Sequence, residues 1–204
     1  MGVPEPADVL PKSRSMAMFS QAFLVAVALI SQTKPGAEAP WQTFTPETGE
    51  FQISLPARPT ERKRTIEVAG KKVELVGYTV LRRTYSYGVT VGELSKVPGD
   101  SRALLKELRD DAVKQVRGTL QDESPINWNG HPGRALVIDV PKTAFAGGAR
   151  AQVHVYLVGQ RVYEVTAVVS HSLGQVDTEP FFASFQPQVA PKQGIASSKP
   201  EGSH

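Results

Sequence analysis

The residues most able to do chemistry in this chain are its four histidines, His131, His154, His171 and His204. None stands at H-E-x-x-H or H-x-x-x-H spacing, so no single helix or strand presents a ready pair of metal ligands. His154 lies in an alternating run, "RAQVHVYLVG", with Tyr156 on its own face. Asp139 and Glu164 lie on the runs before and after it. If neighbouring strands bring His154, Asp139 and Glu164 together, they offer one imidazole and two carboxylates, a donor set for zinc or copper or for a small ligand. The simpler expectation is a half-exposed strand histidine bonded to a carboxylate, with no metal and no cofactor. His131 sits in "NGHPGR". Asn129–Gly130 is a strong hairpin dipeptide, and Pro132–Gly133 reads as a second turn pair. The structural expectation is therefore two turns that set the register of a hairpin. The functional alternative is a surface ligand role for His131, with Arg134 as an anion partner.

Other chemistries find less support. The chain has no cysteine, which removes disulfides, thiolate metal sites, iron–sulfur clusters and thiol nucleophiles together. Acyl transfer needs an activated nucleophile on a sharp turn, and no G-x-S-x-G is present. His171 stands between Ser170 and Ser172, but chain neighbours do not make a triad. The adjacent carboxylates Asp110 and Asp111 diverge by about 100° on a helix and read as a solvated face. Gly147–Gly148 has no helix after it, so it reads as a loop and not as a phosphate cradle. The expectation is a protein that is not an enzyme.

Charge offers the last candidate. Arg62, Lys63, Arg64, Lys71 and Lys72 crowd one strand pair, with Arg58 leading in and Arg82–Arg83 closing the next run. A basic sheet edge is a normal guard against edge-to-edge aggregation. It also suits docking to a protein or an acidic envelope component. The net charge of +3, from 23 basic and 20 acidic residues, is too small to imply nucleic-acid binding, and the aromatic interleaving of single-strand binders is missing.

These side chains must be positioned by a mostly β domain. Of 204 residues, 40% are hydrophobic and 21% charged, the balance of a globular chain. Residues 1–39 read as targeting and linker: Lys12 and Arg14 precede the apolar run Ala22 to Ile30, and small residues follow at Ala37 to Ala39. The expectation is export to a periplasmic or extracellular space, with membrane contact only if that segment stays uncut. Residues 41–187 form the folded domain, and 188–204 form a Pro/Ser/Lys/Gly tail expected to lack order. Within the domain the period is two in "FQISLP", "KRTIEVAGKKVELVGYTVLRR" and "TYSYGVTVGEL". It changes to helical spacing over Ser101 to Arg117, with Leu104, Leu105, Leu108, Ala112, Val113 and Val116 on one stripe. Asp100 or Ser101 caps that helix and Gly118 closes it. Strands return through "RVYEVTAVVS", with Gly159–Gln160 as a hairpin turn, and Asp177 to Phe185 reads as a short closing helix. The fold class is α+β, a central antiparallel sheet with one long and one short helix packed on it.

Several pieces together resemble the PsbP/Mog1-like domains of exported bacterial proteins. They are "FQISLPARP", "LLKELRDDAVKQVRG", "NGHPGRALVIDV", "YLVGQRVY" and "FFASF", spanning Phe51 to Phe185. The resemblance implies an α/β/α sandwich around an antiparallel sheet. In the plant and cyanobacterial branch such domains are extrinsic photosystem subunits that help retain calcium and chloride, and no residue here maps onto that role. The functional expectation is an exported, non-catalytic binding or accessory domain that meets a protein or envelope partner through the basic edge. The alternative is a small-ligand or metal-binding module, or an enzyme, using His154, Asp139 and Glu164.

Overall fold

The computed structural model describes residues 40–68, 70–96 and 99–188. The expected targeting segment and the tail beyond Gln188 lie outside the described residues. In chain order the elements are β1 (Gln42–Phe44), β2 (Phe51–Leu55), β3 (Thr60–Val68), β4 (Lys71–Leu81), β5 (Tyr85–Glu93), α1 (Ser101–Val116), β6 (Thr119–Trp128), β7 (His131–Val140), β8 (Ala149–Val158), β9 (Arg161–Ser170), α2 (Glu179–Ala183) and β10 (Gln186–Pro187). Strands β3 to β9 form one seven-stranded antiparallel sheet in the order β3-β4-β5-β9-β8-β7-β6, and β1-β2-β10 form a small second sheet. This is the expected α+β class.

Period-two alternation divides the large sheet into two buried faces. On one, Ala149, Ala151, Val153, Val155 and Leu157 of β8 meet Leu104, Leu105, Leu108 and Ala112 of α1. On the other, Tyr163, Val165, Ala167 and Val169 of β9 meet Phe51, Ile53 and Leu55 of β2 and the α2 aromatics Phe181 and Phe182. β8 still alternates, with Arg150, Gln152 and His154 between buried residues, and is buried at every position only from Val155 to Val158, where both faces are covered. Each large side chain so buried contributes about 1.5–3 kcal/mol.

The helix ends follow sequence chemistry, with one difference. Asp100 is the N-cap, its carboxylate accepting from the backbone N–H of Arg102 at 2.9 Å and of Ala103 at 3.2 Å. At the other end Arg117, not Gly118, takes the left-handed cap conformation, at φ 51°. A Cβ on Gly118 would lie 2.5 Å from the Asp139 carbonyl oxygen, so glycine serves close approach to β7 there. At α2 the N-cap position is Thr178, and the backbone N–H of Glu179 donates to the Asp177 carboxylate one residue earlier, at 3.0 Å.

"NGHPGR" holds one turn, not two. Asn129 and Gly130 both have positive φ, 47° and 86°, the mark of a tight hairpin loop. The Asn127 side chain closes it by accepting from the Gly130 N–H at 2.7 Å. His131, Pro132 and Gly133 already belong to β7, pairing with Trp128, Asn127 and Ile126. Pro132 is tolerated because the β8 ladder begins one residue later, at Gly133 opposite Tyr156. A Cβ on Gly133 would collide with the Val155 carbonyl oxygen, so that glycine marks close strand approach.

Candidate functional site

The helix-bearing face is not covered from end to end. Helix α1 packs over β7 and β8 and touches β3, and beside it part of the sheet over β3, β4, β5 and β9 stays open, although Val73 and Leu75 of β4 are buried. One row of residues crosses that part by register: Arg62 on β3, Gly77 on β4, Thr90 on β5 and Glu164 on β9. The next row is Thr60, Thr79, Gly88 and Thr166. Residues that share a row and a parity share a face. Long side chains therefore stand at both ends of the first row, and only glycine and threonine stand between them. The result is a trough of about 390 Å³, closed along one side by Gln115 and Val116 of α1.

A charged cluster sits at its inner wall. The Arg64 guanidinium passes over the two intervening strands to reach Glu164 of β9, Nη2 to Oε2 at 3.5 Å. Its Nη1 donates to Asp111 of α1 at 2.7 Å. The Gln115 amide, turned with its oxygen toward the same guanidinium, accepts from Nε at 2.8 Å. The Glu164 side chain is only 18% exposed. Burial pushes its carboxyl above the usual range; the Arg64 charge draws it back and Asp111 raises it further. Thr166 donates to its other oxygen at 3.4 Å. Two carboxylates thus share one guanidinium, which leaves a surplus negative charge at this wall.

The basic strip does not form one surface. Register puts Arg62 and Arg64 on the helix-bearing face and Lys63 on the opposite one. Arg64 turns inward to the cluster just described. Lys63 lies 3.7 Å from Glu74, an exposed pair worth little. Lys71 and Lys72 are exposed at the far end of β4, where they pair by register with Val68 and Glu67.

The ligand set of His154, Asp139 and Glu164 does not assemble. His154 pairs with Ala135 and Val165, whereas Glu164 pairs with Val155, so a parity step sends the two side chains to opposite faces. His154 stacks on Phe182 with ring centroids 3.9 Å apart, and its Nδ1 lies 3.2 Å from the Tyr156 hydroxyl. It is bonded to a phenol and not to a carboxylate. Burial lowers its pKa to about 4 and pushes the Tyr156 phenol up to about 12. Asp139 instead lies 3.5 Å from Nε2 of His171. No group of three or more metal-binding side chains occurs among the described residues. His131 stacks against Trp128 at 6.0 Å, across the hairpin turn.

A second cleft lies on the opposite face, under the segment that leads into α2. It encloses about 520 Å³ and is lined by Asp139, Arg150, Gln152 and His171 among others. Among its lining residues the Thr178 hydroxyl donates to the Gln152 side chain.

No family model matches the chain, and no curated protein matches it. Among solved structures it is similar to the solution structure of cyanobacterial PsbP (CyanoP) from Synechocystis sp. PCC 6803, at 12% identity and a TM-score of 0.48, covering 78% of this chain and 99% of that chain. It is also similar to the crystal structure of a Pseudomonas aeruginosa protein of unknown function, at 9% identity and a TM-score of 0.34, covering 66% of this chain and 85% of that one.

Proposed function

We propose that this chain is an exported, non-catalytic binding domain that docks an acidic, extended segment of a protein partner along β3. The observation that carries this reading is the difference between the two edges of the large sheet. The β6 edge is blunted: its register shifts between Leu120 and Asp122, and Pro125 removes a donor. The β3 edge runs for nine residues with no proline and no bulge. An open, regular edge accepts an added strand through main-chain hydrogen bonds, and alternate side chains then select the partner. Among the described residues, Arg58, Lys71 and Lys72 have no ion-pair partner, so these cations are free to meet acidic groups. No helix among the described residues is long and apolar enough to cross a membrane. The export reading rests on the N-terminal sequence pattern.

The test is site-specific photo-crosslinking from the position of Glu61 in native cells, repeated with Lys63→Glu, Lys71→Glu and Lys72→Glu combined. The expected result is one crosslinked acidic protein whose yield falls at least about tenfold on charge reversal. Unchanged crosslinking after reversal would overturn the basic-edge reading. Binding to anionic vesicles in place of any protein would overturn the choice of partner.

A further inference from the structure

We infer that the trough between β3 and β9 binds a small amino-carboxylate zwitterion, with its carboxylate on Arg62 and its ammonium on Glu164. Three observations carry this. First, the two walls are of opposite sign. Arg62 has no ion-pair partner among the described residues, while Glu164 and Asp111 share the single Arg64 guanidinium at 3.5 and 2.7 Å. One wall therefore lacks an anion and the other lacks a cation. Second, the walls stand three inter-strand steps apart, roughly 14 Å between Cα atoms. The row between them holds only Gly77 and Thr90. Long side chains leaning in from each end leave space for a molecule of a few heavy atoms. Third, the surrounding groups are hydroxyls, from Ser86, Thr79, Thr90 and Thr166, which donate or accept as a ligand requires.

Ligands of a single charge fit less well. A plain carboxylate on Arg62 meets the surplus anion at the opposite wall. A plain amine on Glu164 leaves Arg62 unanswered. A metal ion finds the Arg64 guanidinium already placed between the two carboxylates. Charge-assisted hydrogen bonds at both ends of one molecule satisfy both walls at once.

The experiment is calorimetric titration of the full chain with three zwitterions of increasing charge spacing, L-leucine, 4-aminobutanoate and 6-aminohexanoate. Butanoate and butylamine serve as single-charge controls. The expected result is saturable binding of at least one zwitterion, at least about tenfold tighter than either control. Arg62→Gln, an exposed rim change that leaves the fold intact, is expected to reduce that zwitterion to control-level affinity. Glu164→Gln is expected to do the same, with circular dichroism reporting whether it remains folded. Failure of all three zwitterions to bind, a control that binds as tightly, or full affinity in Arg62→Gln would each overturn the assignment. This test involves none of Lys63, Lys71 and Lys72, so its outcome is separate from that of the edge-docking experiment.

Discussion

The two faces of the large sheet solve the same burial problem in different ways. The face under β2 and α2 is closed with aromatic rings: Phe51 contacts Phe44, Tyr78, Tyr163 and Phe185, all with centroids within 6.4 Å. The face under α1 is closed with aliphatic side chains over β7, β8 and the Val73–Leu75 end of β4, and is left polar and open over Gly77 and Thr79 of β4 and Gly88 and Thr90 of β5. Large rings from a short sheet and one turn of helix reach across a wide surface. A single helix about 10 Å wide cannot span seven strands. The uncovered strands must then either expose apolar residues or carry small polar ones. This chain has glycine and threonine there. The difference teaches that the trough follows from incomplete coverage, and that its residue types match the exposure left to them.

The comparison is broken most directly by truncation on each face. Phe51→Ala removes a ring that is 0% exposed, and is expected to cost about 3–5 kcal/mol in urea unfolding. Thr90→Ala on the trough floor is expected to cost less than about 1 kcal/mol. Equal costs would mean that the trough is as tightly packed as the aromatic face.

A pH titration sharpens the contrast. His154 titrates near its ordinary 6.5 in the unfolded chain and at about 4 in the fold. Below pH 6.5 the unfolded state therefore binds the proton first. Stability falls as pH drops through that window, by up to about 3 kcal/mol at pH 4. His154→Phe keeps the stack on Phe182 and is expected to flatten this acid dependence. An unchanged pH profile in the variant would show that the loss arises elsewhere.

The polar face is expected to behave in the opposite sense when its cation is removed. Arg64→Met leaves Glu164 and Asp111 facing each other across the vacated site. The expected loss is about 1–2 kcal/mol at neutral pH, discounted because the Arg64 side chain is 27% exposed. That loss is expected to shrink in acid, as the already raised Glu164 carboxyl takes up its proton. A loss that does not depend on pH would show that Arg64 acts by packing alone. The smallest effect is at the helix itself: Asp100→Ala removes two N–H acceptances and is expected to cost about 1 kcal/mol. It is expected to leave zwitterion binding unchanged.

Local patterning determined most of the elements. Alternating runs became strands, and the Leu104-Leu105-Leu108-Ala112 stripe became the buried side of α1. Gly159 and Asn129–Gly130 became turns, because backbone preference acts over a few residues and is written in those residues. Pro132–Gly133 misled because the same dipeptide serves a turn or a strand end, and only the register of β7 against β8 distinguishes them. The seven-stranded order, with β5 beside β9, depends on long-range pairing that no local pattern encodes. The same holds for the site. Arg64 reads in sequence as one of several exposed cations, yet packing of α1 brings Asp111 and Gln115 to it. His154 and Glu164 read as potential partners on neighbouring strands, yet a single residue of register separates them to opposite faces. Composition and periodicity thus determined which segments form strands and helices. Which charges meet was decided by strand register and helix placement, because side-chain direction reverses with every residue along a strand.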